Sequence, residues 1–441
     1  MLMGRLSLSP PQVVAGGFIL LIVLGSVLLA TPWATNAGES DWLTAVFTAT
    51  SAVCVTGLIV EDTATYWSLF GQIVIMCLMQ LGGLSIMAMA TFYALLFGKR
   101  IALRQRMFMQ AAVNKPSPGG IVNLFRHLIF FTLGIELIAT VILALHWAPQ
   151  LGGARAIYFA LFHSISAFNN GGFDLFGHFS SLTAFSSDVV TNLVISILII
   201  AGGLGFVVIA EIISFKNRQR FSLHSKIVLS TTAVFLLIGT VFIFAAEYSH
   251  ALQGMSFPGK LLAAYFHSVT RTAGFVTVDI TTFFQGTQFL MILLMFIGGS
   301  PGSTAGGIKT VTFTVVWAAI LSQMKGKRDV EIFRRRIPQQ DVTRALAIAA
   351  MSGFYICAAV LLLTFVQGAD SLDRIVFEVV SAFATVGLSL GYTPELNALG
   401  RLIIILTMFV GRVGPLTLAV AFAQRERQVD IRYAEEEVII G

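Results

Sequence analysis

Four short segments of this 441-residue chain align on a glycine. The first runs Phe47-Thr-Ala-Thr-Ser51-Ala52-Val-Cys-Val55-Thr56-Gly57. The second is Phe162-His-Ser-Ile-Ser166-Ala167-Phe-Asn-Asn170-Gly171-Gly172. The fourth is Phe377-Glu-Val-Val-Ser381-Ala382-Phe-Ala-Thr385-Val386-Gly387. Each keeps a phenylalanine ten residues before the glycine, and Ser-Ala six and five before it. The third, Phe266-His-Ser268-Val-Thr-Arg-Thr272-Ala273-Gly274, is looser but keeps the serine six before its glycine. The glycines are spaced by 115, 102 and 113 residues. Glycine accepts positive φ without steric cost, so backbone carbonyls can turn toward a common centre with no side chain in the way. Carbonyl rings of this kind replace an ion's water shell and favour cations. A short helix ending at such a turn adds the partly negative end of its dipole.

Packing glycines are common in membrane helices, but four in register behind a shared serine point to filter lining. The candidate ion ligands are Val55, Thr56 and Gly57; Asn170, Gly171 and Gly172; Thr272, Ala273 and Gly274; and Thr385, Val386 and Gly387. No carboxylate follows any of the four glycines directly, so a ring of acidic side chains is not suggested. Asn170 and Gly171 make the second loop atypical. His163 and His267 have no acid at ligand or triad spacing and read as structural or helix-starting polar residues.

A second register lies 26, 31, 25 and 25 residues further on, at Gly83, Gly203, Gly299 and Arg412. In the third unit it swells into Gly298-Gly299-Ser300-Pro301-Gly302-Ser303-Thr304-Ala305-Gly306-Gly307. Proline and five glycines within ten residues cannot continue a helix. Apolar halves flank it, so it is a break within a span, tolerated where it lines a pore. A guanidinium in mid-span is costly unless it is paired or wet. Pseudo-fourfold symmetry sets Arg412 level with the break, and the pair reads as an internal gate below the filter. The same stretch matches G-x-S-x-G, but no strand precedes it, and Lys309 falls one residue late for a phosphate-binding loop. Neither a catalytic pair nor a dinucleotide fingerprint is present, so the chain reads as a non-enzyme that binds no nucleotide itself.

The elements that must position these motifs are membrane helices. Hydrophobic residues make up 56% of the chain and charged ones 11%, about half the charge of an ordinary soluble protein. Seven apolar runs, Val13–Ala30, Leu69–Phe97, Leu128–Leu145, Val189–Ala210, Ile227–Ala246, Ala345–Val366 and Leu402–Ala423, are each long enough to cross a bilayer as a helix. The first is too long for the apolar core of a signal peptide and is needed to complete the first repeat. The three cysteines form no metal or disulfide pattern. Basic residues concentrate in 98–120, 215–226 and 324–344, whereas 31–67 carries acids and no base, which places the basic loops and both termini in the cytoplasm. Those loops suggest contact with anionic lipid, not nucleic acid. The expected fold is an all-α membrane protein of four tandem helix–pore loop–helix repeats around a central pore. The expected divisions are 1–107, 108–220, 221–336 with the broken inner helix, 337–423, and a cytoplasmic tail at 424–441.

With the four filter motifs, the Gly-Ser-Pro-Gly-Ser-Thr-Ala-Gly-Gly stretch, Arg412 in Gly-Arg-Val-Gly-Pro and the Leu-Ser-Pro-Pro-Gln opening at Leu8, nearly the whole chain resembles the Trk/Ktr/HKT superfamily of potassium transporters. It is most similar to the membrane subunits of bacterial Ktr uptake systems. The resemblance implies potassium at the filter glycines, a loop gate in the third unit, and a homodimer with two pores in the bacterial plasma membrane. It also implies a cytosolic RCK-type regulatory ring that binds nucleotides, and sodium as an activator in some members. Plant relatives with serine at the first filter position favour sodium, so Gly57 argues for potassium. A potassium/cation symporter and a sodium-selective pore are the alternatives within the superfamily.

Overall fold

The computed structural model describes residues 10–84, 121–215, 220–368 and 371–422. The Leu8 end of the opening motif, the basic stretch 98–120, Lys216, Arg218 and the tail beyond 422 lie outside them. Among the described residues, fifteen principal helices follow a repeating order. Repeat 1 has α1 (Pro10–Leu29), α2 (Trp42–Cys54) and α3 (Leu69–Gly83). Repeat 2 has α4 (Ile121–Leu151), α5 (Gly153–Phe168), α6 (Val189–Leu204) and α7 (Phe206–Ile213). Repeat 3 has α8 (Leu223–Glu247), α9 (Phe257–Val269), α10 (Gln285–Phe296) and α11 (Thr310–Met324). Repeat 4 has α12 (Gln339–Gln367), α13 (Leu372–Ala384), α14 (Ala398–Val413) and α15 (Pro415–Phe422).

Among the described residues, the outer helices α1, α4, α8 and α12 are the four long enough and apolar enough to cross a membrane on their own. They expose leucine and phenylalanine outward, as at Leu24, Leu137, Leu237 and Phe365. The pore helices α2, α5, α9 and α13 are too short to cross and lie largely buried. Local caps fix where several of these helices begin. Asp41, Ser68, Asp188, Ser222, Ser256 and Asn397 each accept a backbone N–H of the first turn of α2, α3, α6, α8, α9 and α14.

The repeats interlock around a ring. In repeats 1, 2 and 4 the inner helix packs on the pore helix of its own repeat. Every inner helix also packs on the pore helix of the next repeat: α3 on α5, α6 on α9, α10 on α13, and α14 back on α2. At the connection between repeats 3 and 4, β1 (Glu331–Ile332) pairs antiparallel with β2 (Arg335–Arg336) across Phe333 and Arg334, both at positive φ. Lys327–Glu331 and Arg336–Asp329 ion pairs flank that turn at 3.5 and 2.9 Å.

Among the described residues, two of the seven apolar runs are not single straight helices. The chain bends by 106° between α6 and α7, at Gly205, whose φ is +85°. It breaks again between α14 and α15 at Gly414, φ +90°. α3 ends at Gly83 inside the run Leu69–Phe97. Among the described residues, the inner helices of repeats 2 and 4 are thus interrupted two residues past the second register. The third repeat is the extreme case because proline and extra glycines open the break into a loop.

Candidate functional site

Pore helices α2, α5 and α13 end in the same way. The residue two before each filter glycine adopts the left-handed conformation: Val55 at φ +55°, Asn170 at +60° and Thr385 at +48°. The N–H of Thr56, Gly171 and Val386 reaches back to the Ser51, Ser166 and Ser381 carbonyls. The N–H of Val55, Asn170 and Thr385 reaches the Ala52, Ala167 and Ala382 carbonyls. This is the paired Schellman closure of a helix C-terminus. Glycine normally fills the left-handed position; valine and threonine are disfavoured there, which marks the turns as strained points of functional interest. The shared serine explains itself locally. Ser51 Oγ accepts the Gly57 N–H at 3.0 Å, Ser381 Oγ accepts the Gly387 N–H at 3.1 Å, and Ser166 Oγ donates to the Phe173 carbonyl at 2.8 Å.

The third loop is built differently, which accounts for its looser motif. Ala273 and Gly274 both donate to the Thr270 carbonyl, and Thr272 is not left-handed. Ser268 turns away to the Leu236 carbonyl at 2.9 Å. Arg271 instead anchors this turn: its Nη1 donates to the Leu294 carbonyl at 3.1 Å and to the Ile297 carbonyl. The guanidinium also sits over the Phe235 ring, 5.2 Å from its centroid.

The four filter glycines meet in a closed ring. A Cβ on Gly57 would strike the Gly171 carbonyl oxygen, and one on Gly387 would strike that of Thr56. On Gly172 it would fall 2.7 Å from the Ala273 oxygen, and on Gly274 2.5 Å from the Val386 oxygen. Every glycine is thus pressed against the carbonyl that precedes the next repeat's glycine, in the order 1, 2, 3, 4, 1. All four have φ between +66° and +93°. All twelve sequence-predicted filter residues lie in or beside this ring.

The second register does something other than what its alignment suggests. Gly82, Gly202 and Gly411 lie directly against the Val53, Phe168 and Phe383 carbonyls at the ends of the pore helices, with no room for a Cβ. They are close-packing glycines. In the third repeat Gly298 meets the Gly306 carbonyl of its own loop instead.

That loop, 298–307, runs beneath the filter ring. Ser300 and Thr304 N–H groups bond the Gly203 and Gly202 carbonyls at 3.0 and 3.1 Å, and the Phe206 N–H bonds the Gly302 carbonyl at 3.1 Å. Thr304 Oγ1 lies 3.1 Å from the Phe168 carbonyl and 2.8 Å from Asn170 Oδ1, while Asn170 Nδ2 donates to Thr272 Oγ1 at 3.0 Å. On the opposite side Gly306 packs on Thr385. Arg412 donates through Nη1 to the Thr304 carbonyl and through Nη2 to the Gly82 carbonyl at 2.7 Å. The loop of repeat 3 therefore touches repeats 2 and 4 and reaches repeat 1 through one guanidinium. Gly299, Pro301, Ser303, Ala305 and Gly307 complete it. Lys309, which sequence motifs suggested only as a false phosphate-loop residue, donates from Nζ to the Ala305 carbonyl at 2.6 Å. Arg271 and Lys309 were both legible as cations within charge-poor segments.

Four interlocked membrane repeats that bring their aligned glycines together in one ring have the architecture of a membrane transport protein. The chain belongs to the TrkH family of cation transport proteins, whose family model matches residues 12–431. It is 44% identical to Ktr system potassium uptake protein B of Bacillus subtilis, over 98% of this chain and 97% of that protein. It is 38% identical to the potassium/sodium uptake protein NtpJ of Enterococcus hirae, over 99% of this chain and 98% of that one. The crystal structure of the potassium transporter TrkH from Vibrio parahaemolyticus has the same fold, with a TM-score of 0.77 at 18% identity, over 96% of this chain and 87% of that one.

Proposed function

We propose that this chain carries potassium across the bacterial plasma membrane, through a single-chain filter made by the carbonyl ring at Gly57, Gly172, Gly274 and Gly387. The observation that carries this is the cyclic contact of each glycine with the carbonyl before the next repeat's glycine, which gathers four backbone oxygens at one level. The four loops contribute Val55–Gly57, Asn170–Gly172, Thr272–Gly274 and Thr385–Gly387. The potassium uptake named for the relatives agrees with this reading.

Beneath the filter, residues 299–307 and Arg412 form the gate. The loop is held closed by hydrogen bonds to repeat 2 and by Arg412 of repeat 4, and opening requires that these be exchanged for water. The repeats divide at 107, 220, 336 and 423. The chain works as a homodimer with its termini in the cytoplasm. Its basic loops, among them Lys325, Lys327 and Arg328, face a cytosolic RCK-type ring that supplies nucleotide control, with sodium as an activator.

The test is potassium flux into liposomes carrying the purified chain, with sodium as competitor and with the regulatory ring added or withheld. Flux that needs a potassium gradient and selects potassium over sodium is expected. Equal passage of both ions would remove potassium selectivity. Full nucleotide regulation without a second protein would remove the partner.

A further inference from the structure

Each pore helix carries a polar residue directly after its phenylalanine: Thr48, His163, His267 and Glu378. The last three are titratable and at most 1% exposed, although proteins rarely bury such groups completely. Each reaches to the segment leaving the filter on its outer side. His163 Nδ1 lies 2.7 Å from the Phe159 carbonyl, which can only accept, so Nδ1 carries the proton. Nε2 is then a bare lone pair, and it accepts the Leu175 N–H, three residues past Gly172, at 3.4 Å. His267 Nε2 accepts the Val278 N–H, four residues past Gly274, at 3.1 Å. Glu378 accepts the hydroxyl of Ser389, two residues past Gly387, at 2.7 Å, and that of Thr393. Rings clamp both imidazoles: Phe176 and Trp147 lie 4.8 and 5.4 Å from His163, and Phe283 lies 5.2 Å from His267.

We propose that His163, His267 and Glu378 are positioning residues of the filter, which set ion selectivity by tying the outer strand of three loops to its own pore helix. The proposal rests on the reading of the glycine ring as the filter. A carbonyl cage discriminates ions only while its oxygens hold their spacing and number, and a segment released at its outer end no longer holds them. Repeat 1 has the shorter Thr48 here. The outer segment of repeat 2 gains a second tie from Asp62 of repeat 1, whose Oδ1 accepts the Phe179 N–H at 3.2 Å.

The three tethers differ in one testable way. The partners of His163 and His267 are backbone N–H groups, which cannot reverse, so only an acceptor serves there. The partners of Glu378 are hydroxyls, which rotate, so an amide serves as well as a carboxylate.

The experiment measures the potassium-over-sodium flux ratio in liposomes for His267→Phe, His267→Gln, Glu378→Leu, Glu378→Gln, Ser389→Ala and Gly57→Ser. His267→Phe, Glu378→Leu and Ser389→Ala are expected to lower the ratio about fivefold, the factor one neutral hydrogen bond is worth. His267→Gln and Glu378→Gln should recover most of it. Ser389→Ala removes a single hydroxyl from the far side of the tether and decides the question if a larger change fails to fold. If Gly57→Ser lowers the ratio while Ser389→Ala and the Phe and Leu variants do not, the tethers are overturned and the filter stands. If the glutamine variants are as poor as their apolar counterparts, the side chains serve only packing and the proposal fails. If Gly57→Ser also leaves the ratio unchanged, the filter reading falls and takes the tethers with it.

Discussion

Arg412 Nη2 and the Gly82 carbonyl oxygen, from the fourth and first repeats, lie 2.7 Å apart, while the same guanidinium holds Thr304 of the third. One side chain thus joins three repeats directly below the filter. A charge-assisted bond of this kind is worth about 1.5–3 kcal/mol. Arg412→Ala is expected to raise potassium flux about tenfold, the lower end of that range, while leaving the potassium-over-sodium ratio unchanged. Flux no faster than the parent, in protein that inserts normally, would move the gate elsewhere.

Shortening the loop within 302–306 removes the Gly302 and Thr304 bonds to repeat 2 together with the Thr304 carbonyl that Arg412 holds. It should speed flux at least as much as Arg412→Ala does. The double variant should gain little more, because both changes break one shared contact. Fully additive rates would show that arginine and loop act separately.

Gly57→Ser meets two obstacles at once: φ of +90° and the Gly171 carbonyl. The expected result is more sodium relative to potassium, because one quarter of the ring must move. An unchanged ratio in the flux assay would take Gly57 out of the filter.

Gly202→Ala and Gly411→Ala drive a methyl group into the Phe168 and Phe383 carbonyls. Overpacking of this kind costs about 1–3 kcal/mol, so each variant should unfold at lower temperature in detergent than the parent. An unshifted unfolding temperature would mean that the inner helices slide freely on the pore helices.

Asp174 lies in the loop that leaves the second filter segment, two residues past Gly172. Burial pushes its carboxyl up from 3.8 to about 7, with the neighbouring Asp62 charge adding to the shift. The folded chain therefore keeps a proton that the unfolded chain loses near pH 4. This contribution to stability is present below that pH and falls away as pH rises toward 7. Asp174→Asn should flatten the decline between about pH 4 and 7 in a thermal-unfolding series; an unaltered slope would assign it to other groups.

The repeat architecture was legible because the glycine and serine positions recur in register, and each recurring residue serves a definite backbone purpose. In repeats 1, 2 and 4 one residue makes the left-handed closure and the serine fastens the turn, to the glycine N–H in repeats 1 and 4 and to the Phe173 carbonyl in repeat 2, while the glycine builds the ring itself. What stayed hidden was geometry that residue identity does not encode. The second register aligns Gly83, Gly203 and Gly299, yet the neighbours Gly82 and Gly202 make the contacts with the pore helices. The bend at Gly205 lay inside an uninterrupted apolar run, where Gly202, Gly203 and Gly205 do not say which of them turns the chain. Arg271 was visible as a lone cation, but its acceptors are carbonyls at the end of a different helix, which no spacing reveals. Of the three tethers His163 and His267 share the Phe-His-Ser context, but Glu378 does not, and no spacing shows that all three reach the segment beyond the glycine.

The packing of each inner helix on the next repeat's pore helix has a bearing on how the chain is made. During synthesis α2 is joined early by α1 and α3 of its own repeat, but it also packs on α14, near the far end of the chain. Until the fourth repeat is inserted, that face of α2 has no helix to cover it. The first pore loop is therefore the last to be locked, and a truncated product lacking the fourth repeat would carry three loops and no ring.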